Sequence, residues 1–189
     1  MPTQNTMTGL ILAGGAGRRV EGRDKGLVHW QGKPLVEHII ERLKPQVDKI
    51  IISCNRNSDV YQQYAPVVAG DSRSNYQGPL AGIEAASASI TSDRVLVVPC
   101  DMPLLPFDLA QKLAEVIEAS GGTAGICYAH DGARAQYLCA LIDRARLSSV
   151  TQFLDGGQRA VREWYAEGNA LSADFSDQQI AFQNFNELD

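Results

Sequence analysis

No stretch of this chain approaches the roughly 20 consecutive apolar residues of a membrane span. The opening MPTQNTMT has no basic run leading into an apolar one, so it is not expected to act as a secretory leader. Basic charge is not in excess: 17 Lys and Arg stand against 22 Asp and Glu, a formal net charge of −5. That balance argues against a general DNA or RNA binder, whose surface is normally basic. The four cysteines (Cys54, Cys100, Cys127 and Cys139) form no C-x-x-C pair, which removes the zinc-ribbon and dithiol signatures. Their apolar neighbours predict buried free thiols and a reducing compartment, and the expected location is the cytoplasm. The three histidines (His29, His38 and His130) show neither metal-ligand spacing nor a Ser-His-Asp arrangement. Each is expected to be structural or solvated. Repeats and low-complexity tracts are also missing.

What remains is a chain of short apolar runs alternating with helical patterns. Its 189 residues suit a single domain with a sizeable core, with residues 1–8 expected to be flexible. Leu10–Ala13, Lys49–Ser53, Val67–Ala69 and Val95–Val98 read as strands. The last is continuously apolar and β-branched, as a parallel strand buried on both faces should be. Lys33–Val47, with Leu35, Val36, Ile39, Ile40, Leu43 and Val47 on one stripe, predicts a helix with Pro34 in its first turn. Leu80–Ile90 and Pro106–Ser120 predict two more, the second stopped by Gly121-Gly122. Ala124–Tyr128 and Leu138–Ile142 predict strands that pair with each other. Ser148–Leu154 and Gln158–Glu167 predict helices, and Ala170–Phe175 and Ile180–Phe182 terminal strands. The expected fold class is α/β: a three-layer, Rossmann-like, mostly parallel sheet with helices on both faces.

In such sheets ligands bind beyond the carboxyl ends of the strands, so the strand list becomes a site list. Beyond the first strand lies GGAGRR, in which Gly14, Gly15 and Gly17 allow a tight turn that presents N–H groups to an anion. Arg18, Arg19 and Lys25 add charge suited to a triphosphate. The loop lacks the G-K-[ST] of a Walker A, and Val20 stands where a dinucleotide fingerprint needs its third glycine. The bland alternative is a basic surface turn. Beyond the second strand lie Cys54, Asn55, Arg56 and Asn57. Asp71 ends the short third strand, where it either caps a turn or bonds a ribose hydroxyl or helps to place metal or substrate. Gly78-Pro79-Leu80-Ala81-Gly82 opens a helix and is able to close over a base or sugar. Asp101, in PCDMPLLP, follows the most apolar strand, and either caps the Met102-Pro103 turn or holds Mg²⁺ together with substrate phosphates.

Taken together, LAGGAGRR…DK at 12–25, GPLAG at 78–82 and PCDMP at 99–103 resemble the molybdenum cofactor guanylyltransferase family (MobA-type), within the wider nucleotidyltransferases. HDG at 130–132, FLDGGQRAV and ADFSD fit the same pattern. The resemblance implies transfer of GMP from GTP to molybdopterin carrying molybdenum, with release of pyrophosphate. It implies nucleotide contacts from Leu12, Ala13 and Gly14, from Ser53 or Asn55, and from Asp71; Gly15 of the same turn and Gly78, Pro79 and Leu80 of the helix opening are expected beside them. Lys25 and Arg19 would face the phosphates, Asp101 would hold Mg²⁺, and Asn184 and Asn186, matching the family's Asn-x-Asn, would face the acceptor or the metal. Residues 1–110 would mainly bind nucleotide and residues 120–189 mainly the acceptor. Transient contact with a molybdenum-inserting enzyme and with recipient apo-molybdoenzymes is implied as well, although no motif encodes it. The chain departs from the family pattern at three places. Val20-Glu21 replaces the usual Met-Gly, and Ser53 replaces a common asparagine, which would shift that contact to Asn55. The final Asn-x-Asn runs into Glu187-Leu188-Asp189 rather than Thr-Pro. A related cytidylyl or other nucleotidyl transfer to a pterin, sugar or isoprenoid phosphate is the alternative, and a non-catalytic nucleotide sensor is a third reading.

Overall fold

The computed structural model describes residues 6–14, 24–69, 73 and 78–185. Strand β1 (Met7–Leu12) starts inside the segment expected to be flexible. Two carboxylates hold it there: Asp48 accepts the Met7 N–H at 2.7 Å and Asp93 the Thr6 N–H at 2.9 Å. Next come two short strands, β2 (His29–Trp30) and β3 (Lys33–Pro34), paired antiparallel. Gln31 and Gly32 turn between them with φ of 49° and 82°, the left-handed pair that a two-residue hairpin turn requires. This hairpin takes Lys33 and Pro34 out of the predicted helix, so α1 spans Leu35–Leu43 and Pro34 is its cap. The apolar stripe of α1 is as read, with Leu35, Val36, Ile39, Ile40 and Leu43 buried.

Strand β4 (Lys49–Cys54) leads to a single helical turn, α2 (Ser58–Tyr61), too short for periodicity to reveal, and then to β5 (Val67–Ala69). Helix α3 (Pro79–Ser87) precedes β6 (Arg94–Pro99), which is buried along its whole length. Helix α4 (Leu109–Ala119) is followed by Gly121 and Gly122, both at positive φ. Strands β7 (Ile126–His130) and β8 (Ala135–Asp143) pair antiparallel, as their sequences predict. Helices α5 (Ser148–Asp155) and α6 (Val161–Glu167) lead to β9 (Leu171–Asp174). The expected last strand is instead a 3₁₀ segment, Ser176–Phe182. Asp174 accepts the Ser176 N–H at 2.9 Å and turns the chain, which lets Phe182 fold back edge-on to Phe175.

One sheet runs in the order β5-β4-β1-β6-β8-β7-β9, parallel except where β8 lies antiparallel to β6 and β7. Helices cover both faces. On one, Ile11, Ile52, Leu96 and Val98 pack against Val36, Ile39, Leu109 and Leu113 of α1 and α4. On the other, Leu10, Ile51, Val95 and Val97 meet Leu80, Ile83, Val150 and Trp164 of α3, α5 and α6. Period-two alternation along each strand feeds both cores, which makes this the three-layer α/β sheet expected. All four cysteines are free and buried. Among the described residues no helix is long and apolar enough to cross a membrane.

Candidate active site

Parallel register brings the strand ends to one edge. Leu12 lies opposite both Ser53 of β4 and Pro99 of β6. The Ala13 N–H donates to the Ser53 carbonyl at 2.7 Å and the Cys100 N–H to the Leu12 carbonyl at 3.2 Å. Gly14 and Asp101 therefore leave adjacent strands two residues beyond the same register position, with neighbouring strands about 4.8 Å apart. Gly14, which starts the glycine turn, and the segment carrying the carboxylate share a rim, as the sequence predicts.

The Asp101 carboxylate ends the buried strand with its side chain 15% exposed. Its Oδ2 accepts from Lys25 Nζ at 2.7 Å. Lys25 sits in a 3₁₀ turn, Lys25–Leu27, and two features fix that turn. Just before it, Asp24 accepts from the Tyr61 hydroxyl and, at 3.0 Å, from Asn57 Nδ2. Within it, Gly26 lies so close beneath the Tyr61 hydroxyl that a Cβ would collide with it. Burial, reinforced by the hydrogen bond to the Asp24 carboxylate, pushes the Tyr61 hydroxyl well above its ordinary value, so it stays protonated as a donor. Tyr61 and Asp24 are the supports that sequence reasoning missed. Asn57, in the segment expected beyond the second strand, turns the chain there with φ of 53°.

Asn55 Nδ2 donates to the Gly14 carbonyl at 2.9 Å. A Cβ on Gly14 would lie 3.0 Å from that nitrogen, so the close approach needs glycine. Ser53 is buried at 2% exposure beneath α3, its Oγ 3.1 Å from where a Cβ of Gly82 would stand. Asn55 is only half-buried, at the open end of β4. Leu12 and Gly14 are partly exposed and Ala13 is buried. Gly78 caps α3 at φ 83° and Pro79 opens the helix. Leu80 has its side chain wholly in the core, so only its backbone is left to meet a ligand at this helix end. Gly82, one turn on, presses α3 against Leu12 and Ser53, which brings the helix start to the same rim. Asn184 is exposed. Its neighbour Phe185 donates its N–H to the Asp101 carbonyl at 2.8 Å, so the C-terminal segment also reaches the site. Gly15, Arg19, Asp71 and Asn186 lie outside the described residues. His38 and His130 are structural as expected: His38 bonds the Trp30 carbonyl, and His130 Nδ1 accepts the Gly132 N–H.

Among the described residues no cluster of three or more His, Cys, Asp or Glu is positioned to hold a metal by itself. At this edge stand Gly14 just beyond the end of β1, the Lys25 ammonium and the Asp101 carboxylate.

The chain is similar to known proteins in sequence and in fold. A family model described as the MobA-like NTP transferase domain matches residues 9–171. The molybdenum cofactor guanylyltransferases of Shewanella loihica and Shewanella woodyi are each 45% identical to the chain over 177 residues, 94% of this chain and 89% of theirs. Among solved structures, molybdopterin-guanine dinucleotide biosynthesis protein A from Archaeoglobus fulgidus superposes with a TM-score of 0.76 at 22% identity. That match covers 95% of this chain and 92% of the other, a likeness of fold. The match of most of the chain to the family model, at the segments that build this rim, shows that it belongs to the MobA-like NTP transferase family.

Proposed function

We propose that the chain transfers GMP from GTP to molybdopterin carrying molybdenum, forming the guanine dinucleotide cofactor and releasing pyrophosphate. The observation that carries this reading is the Lys25–Asp101 pair at the end of β6, beside the turn that follows β1. Relatives at 45% identity named for this activity support the choice of nucleotide and acceptor.

The terminal phosphate of the acceptor would attack the α-phosphorus of GTP in line. Both reactants are anions, and two unit charges at about 4 Å repel by about 4 kcal/mol at an effective dielectric near 20. Lys25 would leave the carboxylate for the phosphates, offsetting that repulsion and the charge that builds on the leaving pyrophosphate. Arg19 is assigned the same task from the sequence. The backbone around Gly14, Gly15 and the start of α3 would hold the triphosphate and sugar, with Asn55, Asp71, Gly78, Pro79 and Leu80 beside them. Positioning of the two substrates supplies the rest of the rate.

Mg²⁺ suits the donor present, one partly exposed carboxylate, a hard oxygen ligand that substrate phosphate oxygens would join. Asp101 would hold the ion, which when bound polarises the phosphates and neutralises their charge. Asn184 and Asn186 would face the acceptor, Asn184 standing exposed next to the residue tied to Asp101. A cytoplasmic setting suits four reduced, buried thiols, and transfer of the product would proceed through brief contact with the molybdenum-inserting enzyme and recipient apo-molybdoenzymes.

Incubation of the protein with Mg²⁺, molybdenum-bearing molybdopterin and each of the four NTPs in turn, with pyrophosphate measured, tests the proposal. GTP should give the fastest release. Faster release with CTP would move the chain to the cytidylyl reading, and nucleotide binding without release would favour the sensor.

A further inference from the structure

The Trp30 ring stands at the centre of a small aromatic stack that neither core explains. Its ring centroid lies 4.7 Å from that of Phe185 and 4.9 Å from that of His38, both tilted by 58°. Trp30 and Phe185 belong to neither of the two apolar cores, and both are only half-buried. His38, on α1, braces the stack from below. Its Nε2 lies 2.8 Å from the Trp30 carbonyl, an oxygen that only accepts, so Nε2–H is the donor.

The stack touches the site at two points. Trp30 follows closely on the turn that carries Lys25: the Val28 N–H bonds the Lys25 carbonyl at 3.1 Å, and the Leu35 N–H bonds the Val28 carbonyl at 2.8 Å. Phe185 donates its N–H to the Asp101 carbonyl at 2.8 Å and directly follows the exposed Asn184. One ring–ring contact therefore joins the Lys25 turn to the C-terminal segment just where that segment meets Asp101. A terminal stretch with an exposed asparagine gains little from burial of its own, and ordering it costs conformational entropy. Among the described residues, the Phe185 ring on Trp30 and the backbone bond to Asp101 contribute to offsetting that cost.

We propose that Trp30 and Phe185 form a clamp that seats Asn184 against the Asp101 edge, which makes both of them positioning residues for the acceptor substrate. This rests on the reading of Asn184 as an acceptor contact. It goes beyond that reading by naming the aromatic pair on which the contact depends.

The clamp is tested with the full chain labelled with 5-fluorotryptophan, in which the two tryptophans give separate fluorine resonances and Trp30→Phe assigns them. Phe185→Ala should move the Trp30 resonance toward its solvent-exposed position and leave that of Trp164 in place. In steady-state assays with GTP, Mg²⁺ and molybdenum-bearing molybdopterin, the same variant should raise KM for the pterin roughly tenfold, with KM for GTP changed less than about twofold. Phe185→Tyr, which keeps the ring, should restore both readouts. A Trp30 resonance unmoved by Phe185→Ala overturns the clamp. Equal rises in both KM values also overturn it, since they would assign the stack to general support of Asp101. If Asn184→Ala leaves the pterin KM unchanged in an active enzyme, the acceptor role of the segment is refuted, an outcome separate from loss of the ring contact.

Discussion

Lys25 Nζ and Asp101 Oδ2 lie 2.7 Å apart, an ammonium and a carboxylate contributed by residues far apart in sequence and brought together at the end of one strand. Lys25 needs a flexible stem to serve both this carboxylate and an incoming phosphate. Removing it should weaken triphosphate handling without disturbing either core. Lys25→Ala is expected to lower kcat/KM for GTP by roughly 10- to 100-fold, the range for losing a charge-assisted hydrogen bond, with Tm nearly unchanged. Steady-state pyrophosphate release against GTP concentration checks this, and an unchanged kcat/KM would remove Lys25 from the mechanism.

The Gly14–Asn55 contact makes a second, sharper test. A methyl at position 14 would stand 3.0 Å from Asn55 Nδ2 and force the amide away from the Gly14 carbonyl. Gly14 is not at positive φ, so alanine adds no backbone strain. Gly14→Ala should therefore raise the dissociation constant for GTP by about fivefold, the scale of one neutral hydrogen bond, while the fold stays intact. Titration calorimetry with GTP reads this directly.

Arg73 grips Glu84 of α3 through two bonds of 2.7 and 2.8 Å and reaches Asp155 of α5 at 2.8 Å. The Arg73 guanidinium, ahead of the opposing effect of burial, holds the Glu84 carboxyl below its ordinary 4.5. A carboxyl depressed in the folded state adds stability above its unfolded value, and that contribution is lost as pH falls through the folded value. Stability should therefore fall from about pH 4.5 downward. Arg73→Ala should lower Tm at pH 7 and flatten this acid limb, so that the two proteins converge near the bottom of the titration. Thermal melts across the acid range check it, and parallel curves would contradict it.

Much of this was legible in the sequence, for identifiable reasons. Val95–Val98 announced a strand buried on both faces because every residue in it is apolar and most are β-branched. The carboxyl-edge rule, applied to the strands, places Gly14 and Asp101 on one rim, where β1 and β6 lead them. The hairpin at His29–Pro34 escaped because two-residue strands carry no periodicity, and the stripe of α1 absorbed Lys33 and Pro34. The last 3₁₀ segment escaped because Phe175 and Phe182 share a core only after Asp174 turns the chain. Side-chain relations across long sequence separations, such as Tyr61 on Asp24, Arg73 on Asp155 and Phe185 on Trp30, left no local trace. They arise from sheet order, which the sequence specifies only through the sum of its packing.

The role of the Asp101 carboxylate is the claim on which the account turns, and Asp101→Asn isolates it: the shape is kept, the charge and the hard anionic ligand are lost. Pyrophosphate release should be measured for this variant and the wild type with saturating GTP, Mg²⁺ and molybdenum-bearing molybdopterin. The expected result is a fall of roughly 100-fold or more in kcat with Tm preserved, since the carboxylate that would hold Mg²⁺ at the reacting phosphates is removed. Turnover near the wild-type rate would contradict the account.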